Sequence, residues 1–498
     1  MVTCVSRKKS EFQNTLRRQV PISRLINYQK MIRQLFLLLL GMCSLQAQAG
    51  NKILYYFNVP VDNSVSTTIN AVYLNNCMSD TFAAYINRAK YTVDIAIYDY
   101  SQGSFTNMAT VINNAYARGV QIRWIYDGSS SNSGLSAVNS AIHTLGSPTT
   151  SSYGIMHNKF VVIDGNSSDP GDAIIMTGSF NWESSQFSTD HNNAVIIQDS
   201  ALAHAYIAEF NMMWGGSGLT PNTSASKFGP YKTDLGRHHF TIEGKQIELY
   251  FSPSDGTNTH IQSAISSANT DMYFGMYTFT DNTDASMIVS KYNSGVYVAG
   301  IDDSYSSSYS PYTTFTSGLG SNFKVYSSPG IFHSKYLIVD PSDKCSDPLV
   351  LTGSHNWTTS ANTKNDENTL IIHNDTAANV YYQSFHADFT ALGGSLTPVA
   401  GCPTGVSIYT TAEDNMTIYP NPTNGPIAIS YQLPEPENVS IELYNVIGQK
   451  IISLTNNIQL QQAGNHAYNI CINKPGMYFV QFTIGKDHFA KKVLVAER

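Results

Sequence analysis

Short apolar runs alternate with amphipathic stretches over residues 51–395, and the alternation occurs twice. In the first copy, the runs at 51–57, 93–97 and 120–126 are rich in β-branched and aromatic residues and read as strands. Residues 80–90 place Phe82, Ala83, Tyr85 and Ile86 on one side after an Asp80-Thr81 start, which predicts a helix. A second helix is expected over 105–118, closed by Gly119. Strands follow after Lys159, at 173–177 and at 194–197, then a helix at 201–214. The second copy keeps the order, with strands at 246–251, 272–279, 296–301, after Lys335 and at 369–372. Its helices are expected at 259–268, 282–292 and 377–392. Strands alternating with helices imply mixed sheets covered on both faces, an α/β fold class. Beyond 392 the pattern changes to short alternating strands at 427–431, 439–445, 450–454, 477–483 and 489–495, which predict a small all-β sandwich.

The two copies share a phrase. His157-Asn158-Lys159 leads a β-branched run that ends at Asp164, and Gly178-Ser179-Phe180-Asn181 closes the next strand. His333-Ser334-Lys335, Asp340 and Gly353-Ser354-His355-Asn356 repeat it. His157 and His333 are 176 residues apart and Asn181 and Asn356 are 175 apart, so a whole domain is duplicated. Side chains alternate along a strand, so each His shares a face with its Lys. Asp164 and Asp340, at the strand ends and of opposite parity, read as structural. Each copy offers an imidazole, an ammonium, a hydroxyl and a carboxamide. Two such sets facing one another supply a nucleophile, a general acid and donors for anionic oxygens, which suits phosphoryl transfer. The histidines lack metal-ligand spacing, so neither a catalytic metal nor a cofactor is expected.

The duplicated H-x-K-x4-D and G-S-x-N phrase resembles the phospholipase D superfamily over roughly residues 52–395. The resemblance implies two α/β/α sandwiches packed as a pseudo-dimer within a monomer, with both H-x-K strands at one cleft. It implies that one His attacks phosphorus to form a phosphohistidine, while the other protonates the leaving alcohol and then activates water. Lys159 and Lys335 then neutralise the non-bridging oxygens, and Ser179, Ser354, Asn181 and Asn356 complete the pocket. Family order makes His157 the nucleophile and His333 the acid. Two features depart from the family pattern. Residues 166–172 and 342–348 are insertions rich in Asp, Ser and Pro. The carboxylate that orients a His ring survives as Glu367 in the second copy, whereas the first has Asn192 there, with Asp190 of the same parity as a substitute. Glu367 is expected beside His333, raising its pKa, and Asn192 beside His157. His191 and His373 read as ordinary polar positions.

Composition adds compartment and charge. The first 49 residues read as a signal peptide, with a basic Met31-Ile32-Arg33, an apolar start at 35–40 and an Ala47-Gln48-Ala49 cleavage site; Met31 is a second candidate start. They hold eight Lys/Arg and one Glu, so the remainder carries a formal charge of −14, against −7 for the whole chain. That balance disfavours attraction to nucleic acid. Charged residues make up only 13%, and Tyr (31 residues) and Ser are expected to fill the surface. A Ser/Tyr-rich loop at 304–317 reads as a solvated loop or as a peripheral membrane contact. Cys77, Cys345, Cys402 and Cys471 remain, as disulfides of three possible connectivities or as buried thiols.

The runs at 419–425 (YPNPTNG), 475–478 (PGMY) and 491–495 (KKVLV) resemble the sorting domain of type IX secretion. This implies export to the surface or medium, the secretion machinery as a partner, and no part in catalysis. The expected divisions are a signal region 1–49, repeats 50–218 and 246–395, linkers 219–245 and 396–415, and a tail 416–498. The function expected is that of a secreted phospholipase D-type phosphodiesterase acting on phospholipid head groups. A metal-independent endonuclease of the same superfamily is the alternative, and a non-catalytic surface binding protein is the alternative of another class.

Overall fold

The computed structural model describes residues 51–396, residue 104 apart, and most of 416–496. The expected signal peptide, Cys402 and most of the second linker lie outside the described residues. The chain forms two units, one to Gly401 and one from Cys402.

The first repeat runs β1 (Ile53–Phe57), β2 (Val72–Tyr73), α1 (Met78–Ile86), β3 (Thr92–Ile97), α2 (Met108–Ala117), β4 (Gln121–Tyr126), β5 (His143–Gly146), β6 (Lys159–Ile163), β7 (Ile174–Gly178), α3 (Ser184–Ser188), β8 (Asn193–Ile197) and α4 (Ser200–Trp214). The second runs β9 (His239–Ile242), β10 (Lys245–Ser252), α5 (Thr257–Ser267), β11 (Asp271–Met276), α6 (Asn282–Asn293), β12 (Tyr297–Asp303), α7 (Ser310–Leu319), β13 (Phe323–Tyr326), β14 (Lys335–Val339), β15 (Leu349–Gly353), α8 (Thr359–Thr363), β16 (Glu367–His373) and α9 (Asp375–Ala391). Each repeat makes an eight-stranded mixed sheet, in the orders β2-β1-β8-β7-β6-β3-β4-β5 and β13-β12-β11-β14-β15-β16-β10-β9. The H-x-K strands β6 and β14 are buried along their whole length, as apolar runs covered on both faces must be.

α4 and α9 share one core with both sheets. Tyr206, Phe210, Tyr381 and Phe385 belong to one cluster with Val195, Ile338 and Leu370, and Tyr206 packs edge-on against Phe160 and Phe251. α1 and α2 cover the outer face of the first sheet, and α5, α6 and α7 that of the second. The motif aspartates sit where they can join strands. Asp164 accepts the Lys90, Tyr91 and Thr92 N–H groups at 2.7, 2.7 and 2.8 Å. Asp340 likewise accepts those of Thr270 and Asp271 at 2.8 and 3.0 Å. Both hold left-handed backbone, φ 49° and 50°, where Asp is among the better-tolerated side chains. The second unit pairs β17 (Met416–Tyr419), β18 (Pro426–Leu433) and β22 (Gly464–Cys471) against a sheet of β19 (Glu437–Asn445), β20 (Lys450–Ser453), β21 (Gln459–Gln461), β23 (Gly476–Ile484) and β24 (Asp487–Val495). All its ladders are antiparallel, around one core.

Three expectations change, and the alternatives left open for Cys345 and Cys77 are decided. Residues 304–317 are not a loop: a 3₁₀ turn (Ser304–Ser308) leads into α7, because Pro311 fits the first helical turn and Phe315 and Leu319 bury one face. Tyrosine is largely interior, with Tyr56, Tyr100, Tyr206, Tyr250, Tyr273, Tyr336 and Tyr381 fully buried. Cys345 is disulfide-bonded, whereas Cys77 is a free thiol. Residues 219–245 carry β9 and a lysine with no exposed side-chain surface. Lys232 Nζ lies 2.5 Å from Glu209 Oε1, 3.0 Å from Asp366 Oδ1 and 2.8 Å from the Ser252 carbonyl. Burial pushes the Glu209 carboxyl up to about 7 despite this ammonium. Lys232→Met strands two carboxyls in the interior and should lower unfolding free energy by about 3–5 kcal/mol. A urea midpoint unchanged from the parent protein would show that the triad contributes no stability.

Candidate active site

The segment before each H-x-K strand is stitched to the opposite repeat. The His157 N–H donates to the Asp366 carbonyl at 2.9 Å, and the Asp366 N–H to the Ile155 carbonyl at 2.9 Å. In the other half the His191 N–H donates to the Ile331 carbonyl at 2.8 Å. Within its own half each segment hangs from an aspartate at the end of the next strand but one in the sheet: Asp127 takes the Met156 N–H and Asp303 the Phe332 N–H, both at 2.8 Å. Two asparagines complete the stitching. Asn193 Oδ1 accepts the Thr352 and Tyr381 hydroxyls at 2.8 and 2.9 Å, and Asn368 Nδ2 donates to Thr177 Oγ1 at 2.7 Å.

This crossing decides which group faces which ring. His157 Nδ1 is 2.8 Å from Glu367 Oε2, and His333 Nδ1 is 3.0 Å from Asn192 Oδ1. The expected pairing of Glu367 with His333 and Asn192 with His157 is therefore reversed. The reason is the pseudo-twofold arrangement, which lays the start of β8 beside the second H-x-K segment and the start of β16 beside the first. Asp190 does not substitute: its oxygens take the Ile331 N–H at 3.1 Å and the Gln186 amide at 2.8 Å. Ser179 and Ser354 also differ from expectation. Fully buried, they donate to Asn192 and Glu367 at 2.7 and 2.8 Å, so they hold the ring-orienting groups instead of lining the pocket. Asn192 Nδ2 faces the Gln186 carbonyl at 3.2 Å, so Oδ1 is turned to His333, whose Nδ1 must be the donor. Each ring thus spends Nδ1 on its partner and leaves Nε2 for chemistry. His191 and His373 are less ordinary than expected. His191 lies 2.9 Å from Asp388, and Asp347 with Glu248 raises His373 to about 9.

The lysines back onto their own histidines, with Nζ 2.9 Å from the His157 carbonyl and 2.6 Å from the His333 carbonyl. Burial lowers Lys159 to about 7 and, with Lys159 adding repulsion, takes Lys335 well below its ordinary value. Burial, and then the two ammoniums, drive both rings well below the usual imidazole range. Burial pushes Glu367 up to about 7. A cleft of this kind holds its cations at a cost until an anion enters. Asn181 and Asn356 each leave Oδ1 without a partner among the described residues.

Sequence reasoning missed the aromatic walls. Tyr98 and Tyr277 follow β3 and β11, their rings 4.9 and 5.0 Å from those of His157 and His333. Lys159 and Lys335 lie over the same rings at 5.0 and 5.3 Å. Asp127, Asp303, Asn193 and Asn368 were missed too. All recur at equivalent positions in both copies, which is the signal that would have found them.

Residues 82–214 and 261–389, more than half of the chain, match the model of the cardiolipin synthase, PLD-like domain. The chain belongs to the phospholipase D superfamily. Residues 417–496 match the secretion system C-terminal sorting domain, which indicates export across the outer membrane to a surface or secreted location. Among curated relatives of this superfamily, the mitochondrial cardiolipin hydrolase of Drosophila melanogaster is 33% identical over 144 residues, 26% of this chain and 55% of that protein. A phospholipase D of Rickettsia conorii is 30% identical over 130 residues, 25% and 58% of the two chains. The chain thus spans a little over half the length of the curated relatives it matches. Similar solved structures include the phosphatidylserine synthase of Haemophilus influenzae, with TM-score 0.47, 14% identity and coverage of 64% of this chain and 85% of that one. Another is Nuc of Salmonella typhimurium, a phospholipase D family member, with TM-score 0.26, 27% identity and coverage of 30% and 94%.

Burial lowers Lys159 to about 7, so anion binding should weaken as pH rises through that value. Sulfate is fully ionised throughout, and calorimetry between about pH 6 and about pH 8 should show its affinity falling. Lys159→Met should bind sulfate weakly and without this slope. A parent affinity that is flat or rising over the window would contradict the assignment.

Proposed function

We propose that the two repeats form one phosphodiesterase site of the phospholipase D type, hydrolysing phospholipid head-group esters through a phosphohistidine. The observation that supports it is the crossed arrangement: each His ring is held by the other repeat and leaves Nε2 unspent. His157 is assigned as nucleophile. Its Nε2 attacks phosphorus and the P–O bond to the alcohol breaks. The ring then carries positive charge, which Glu367 at Nδ1 offsets. His333 is assigned as the acid: the bound phosphodiester anion offsets the burial and the two ammoniums that lower this ring, so that it takes up a second proton, on Nε2, and gives it to the departing alkoxide. Its amide partner stabilises the imidazolium less than a carboxylate would, so the ring releases its proton readily. Water then attacks phosphorus, His333 takes the water's proton, and the P–N bond breaks to return His157. Lys159 and Lys335 hold the non-bridging oxygens, with Asn181 and Asn356 beside them.

The names of the relatives, cardiolipin hydrolase and phospholipase D, support a phospholipid as the class of substrate. The formal charge of −14 beyond residue 49 favours the same choice over a polyanion. The sorting domain is assigned no part in turnover.

His157→Ala and His333→Ala should each lower the rate on phosphatidylcholine vesicles and on bis(p-nitrophenyl) phosphate by about a thousandfold or more. Acid-quenched mass spectrometry should find phosphate on the peptide containing His157. Either variant retaining most of its activity would end the shared-site reading. Label on the His333 peptide would exchange the two roles. Plasmid nicking without head-group release would replace the lipid with nucleic acid.

A further inference from the structure

The two walls of the cleft are equivalent in backbone and unlike in charge. Ile97 pairs with Lys159 as Met276 pairs with Lys335, so Tyr98-Asp99 in one repeat corresponds to Tyr277-Thr278 in the other. Two residues beyond the G-S-x-N asparagines stand Glu183 and Thr358. The first wall thus has two carboxylates where the second has two hydroxyls. Asp99 and Glu183 are close enough to act on each other and on Lys159. Asp99 Oδ1 takes the Asn132 N–H at 3.1 Å. The Trp182 N–H donates to the Asp99 carbonyl at 3.0 Å, which sets Asp99 beside Glu183, and Asn181, two residues before Glu183, keeps Oδ1 as an unspent acceptor. That oxygen belongs to a side chain only 6% exposed and has no partner among the described residues. The opposite wall continues from Tyr277 to Tyr305, stacked at 5.5 Å and 56% exposed; its carboxylates are buried and already spent, Asp303 on the Tyr305 and Phe332 N–H groups and Asp190 on the Ile331 N–H and the Gln186 amide.

We propose that Asp99, Glu183 and Asn181 Oδ1 form a subsite for the ammonium group of an amino alcohol esterified to the phosphate. This rests on the phosphodiesterase reading above and names the alcohol. Three acceptors and no donor suit an ammonium that carries N–H groups, so a primary amine fits better than a quaternary one. Carboxylates so near the phosphate site repel an anionic or neutral polyol head group relative to a cationic one. The subsite also gives direction: the alcohol lies along the first repeat, and the rest of the substrate along the Tyr277–Tyr305 wall.

The test compares vesicles of phosphatidylethanolamine, phosphatidylcholine and phosphatidylglycerol, with bis(p-nitrophenyl) phosphate as a substrate lacking any head group. The parent protein should prefer phosphatidylethanolamine to phosphatidylglycerol by about tenfold or more in kcat/KM, with phosphatidylcholine between. Asp99→Asn with Glu183→Gln should erase that preference while leaving the bis(p-nitrophenyl) phosphate rate within about twofold. Glu183→Gln alone, which keeps every backbone contact of Asp99, should reduce the preference and covers the case of a double variant that does not fold. Equal parent rates on the three lipids would overturn the subsite while leaving the phosphodiesterase reading intact. So would an equal loss on all four substrates, which would mean that the carboxylates serve only to keep Lys159 charged. A loss that follows chelator on every substrate would reassign the pair to a cation. Absence of turnover on every phosphodiester would remove the parent reading and this one with it.

Discussion

The structure depends on hydrogen bonds that cross from one repeat to the other. His157 is held by Glu367 and His333 by Asn192, each 2.8–3.0 Å away and each from the opposite copy. A buried imidazole N–H left without an acceptor is costly, and a ring free to turn cannot present one nitrogen to phosphorus. Neither repeat can therefore complete its own site. The register that brings the rings to their partners comes from the surrounding pairs: Asp366 with the 155–157 segment, His191 with Ile331, Asn193 with Thr352 and Asn368 with Thr177. The core that α4 and α9 share with both sheets keeps that register fixed. Burial is also what makes the charges reactive, since it lowers Lys159 to about 7 and raises Glu367 to about 7.

Much of this was legible before any coordinates. The duplicated phrase marked the histidines, lysines and asparagines. The apolar runs marked β6 and β14, because a strand covered on both faces needs no alternation. The motif aspartates were readable as structural from parity alone. The pseudo-dimer with both H-x-K strands at one cleft was also expected from the resemblance; what failed was which residue of one copy faces which residue of the other. Counting along one chain places Glu367 after Asn356 and invites pairing it with its own His333, yet three-dimensional symmetry gives it to the other. Ser179 and Ser354 looked like pocket donors because a hydroxyl at a tight turn is usually exposed, and here the next strand closes over it. Lys232 looked like linker because a lone lysine in a Thr/Lys-rich stretch carries no pattern; only Glu209 and Asp366, from two different repeats, reveal why it is buried. Tyrosine content misled for a similar reason. Its rings fill the broad space between helices and sheets, and composition does not say which face of an element they occupy.

A site made by two separate copies of one chain must obey the symmetry of the pair, so each half offers the same groups. Placing both copies in one chain removes that restriction. Glu367 stands where the other half has Asn192, His355 where it has Phe180, and Thr278 and Thr358 where it has Asp99 and Glu183. On the proposed reading, the differences at Glu367, Asp99 and Glu183 lie where the two halves of a phosphodiester differ as well. On the proposed assignment, the carboxylate at His157 favours positive charge on the nucleophile's ring, and the amide at His333 favours a ring that gives its proton away. Acceptors on one wall and phenol rings on the other distinguish the two ester substituents. A symmetric cleft would bind the substrate equally well in either direction, and half of those encounters would place the wrong alcohol beside the acid. Duplication within a chain thus supplies direction as well as a complete set of catalytic groups. The crossed bonds are what allow the two halves to diverge without losing the register that makes them one site.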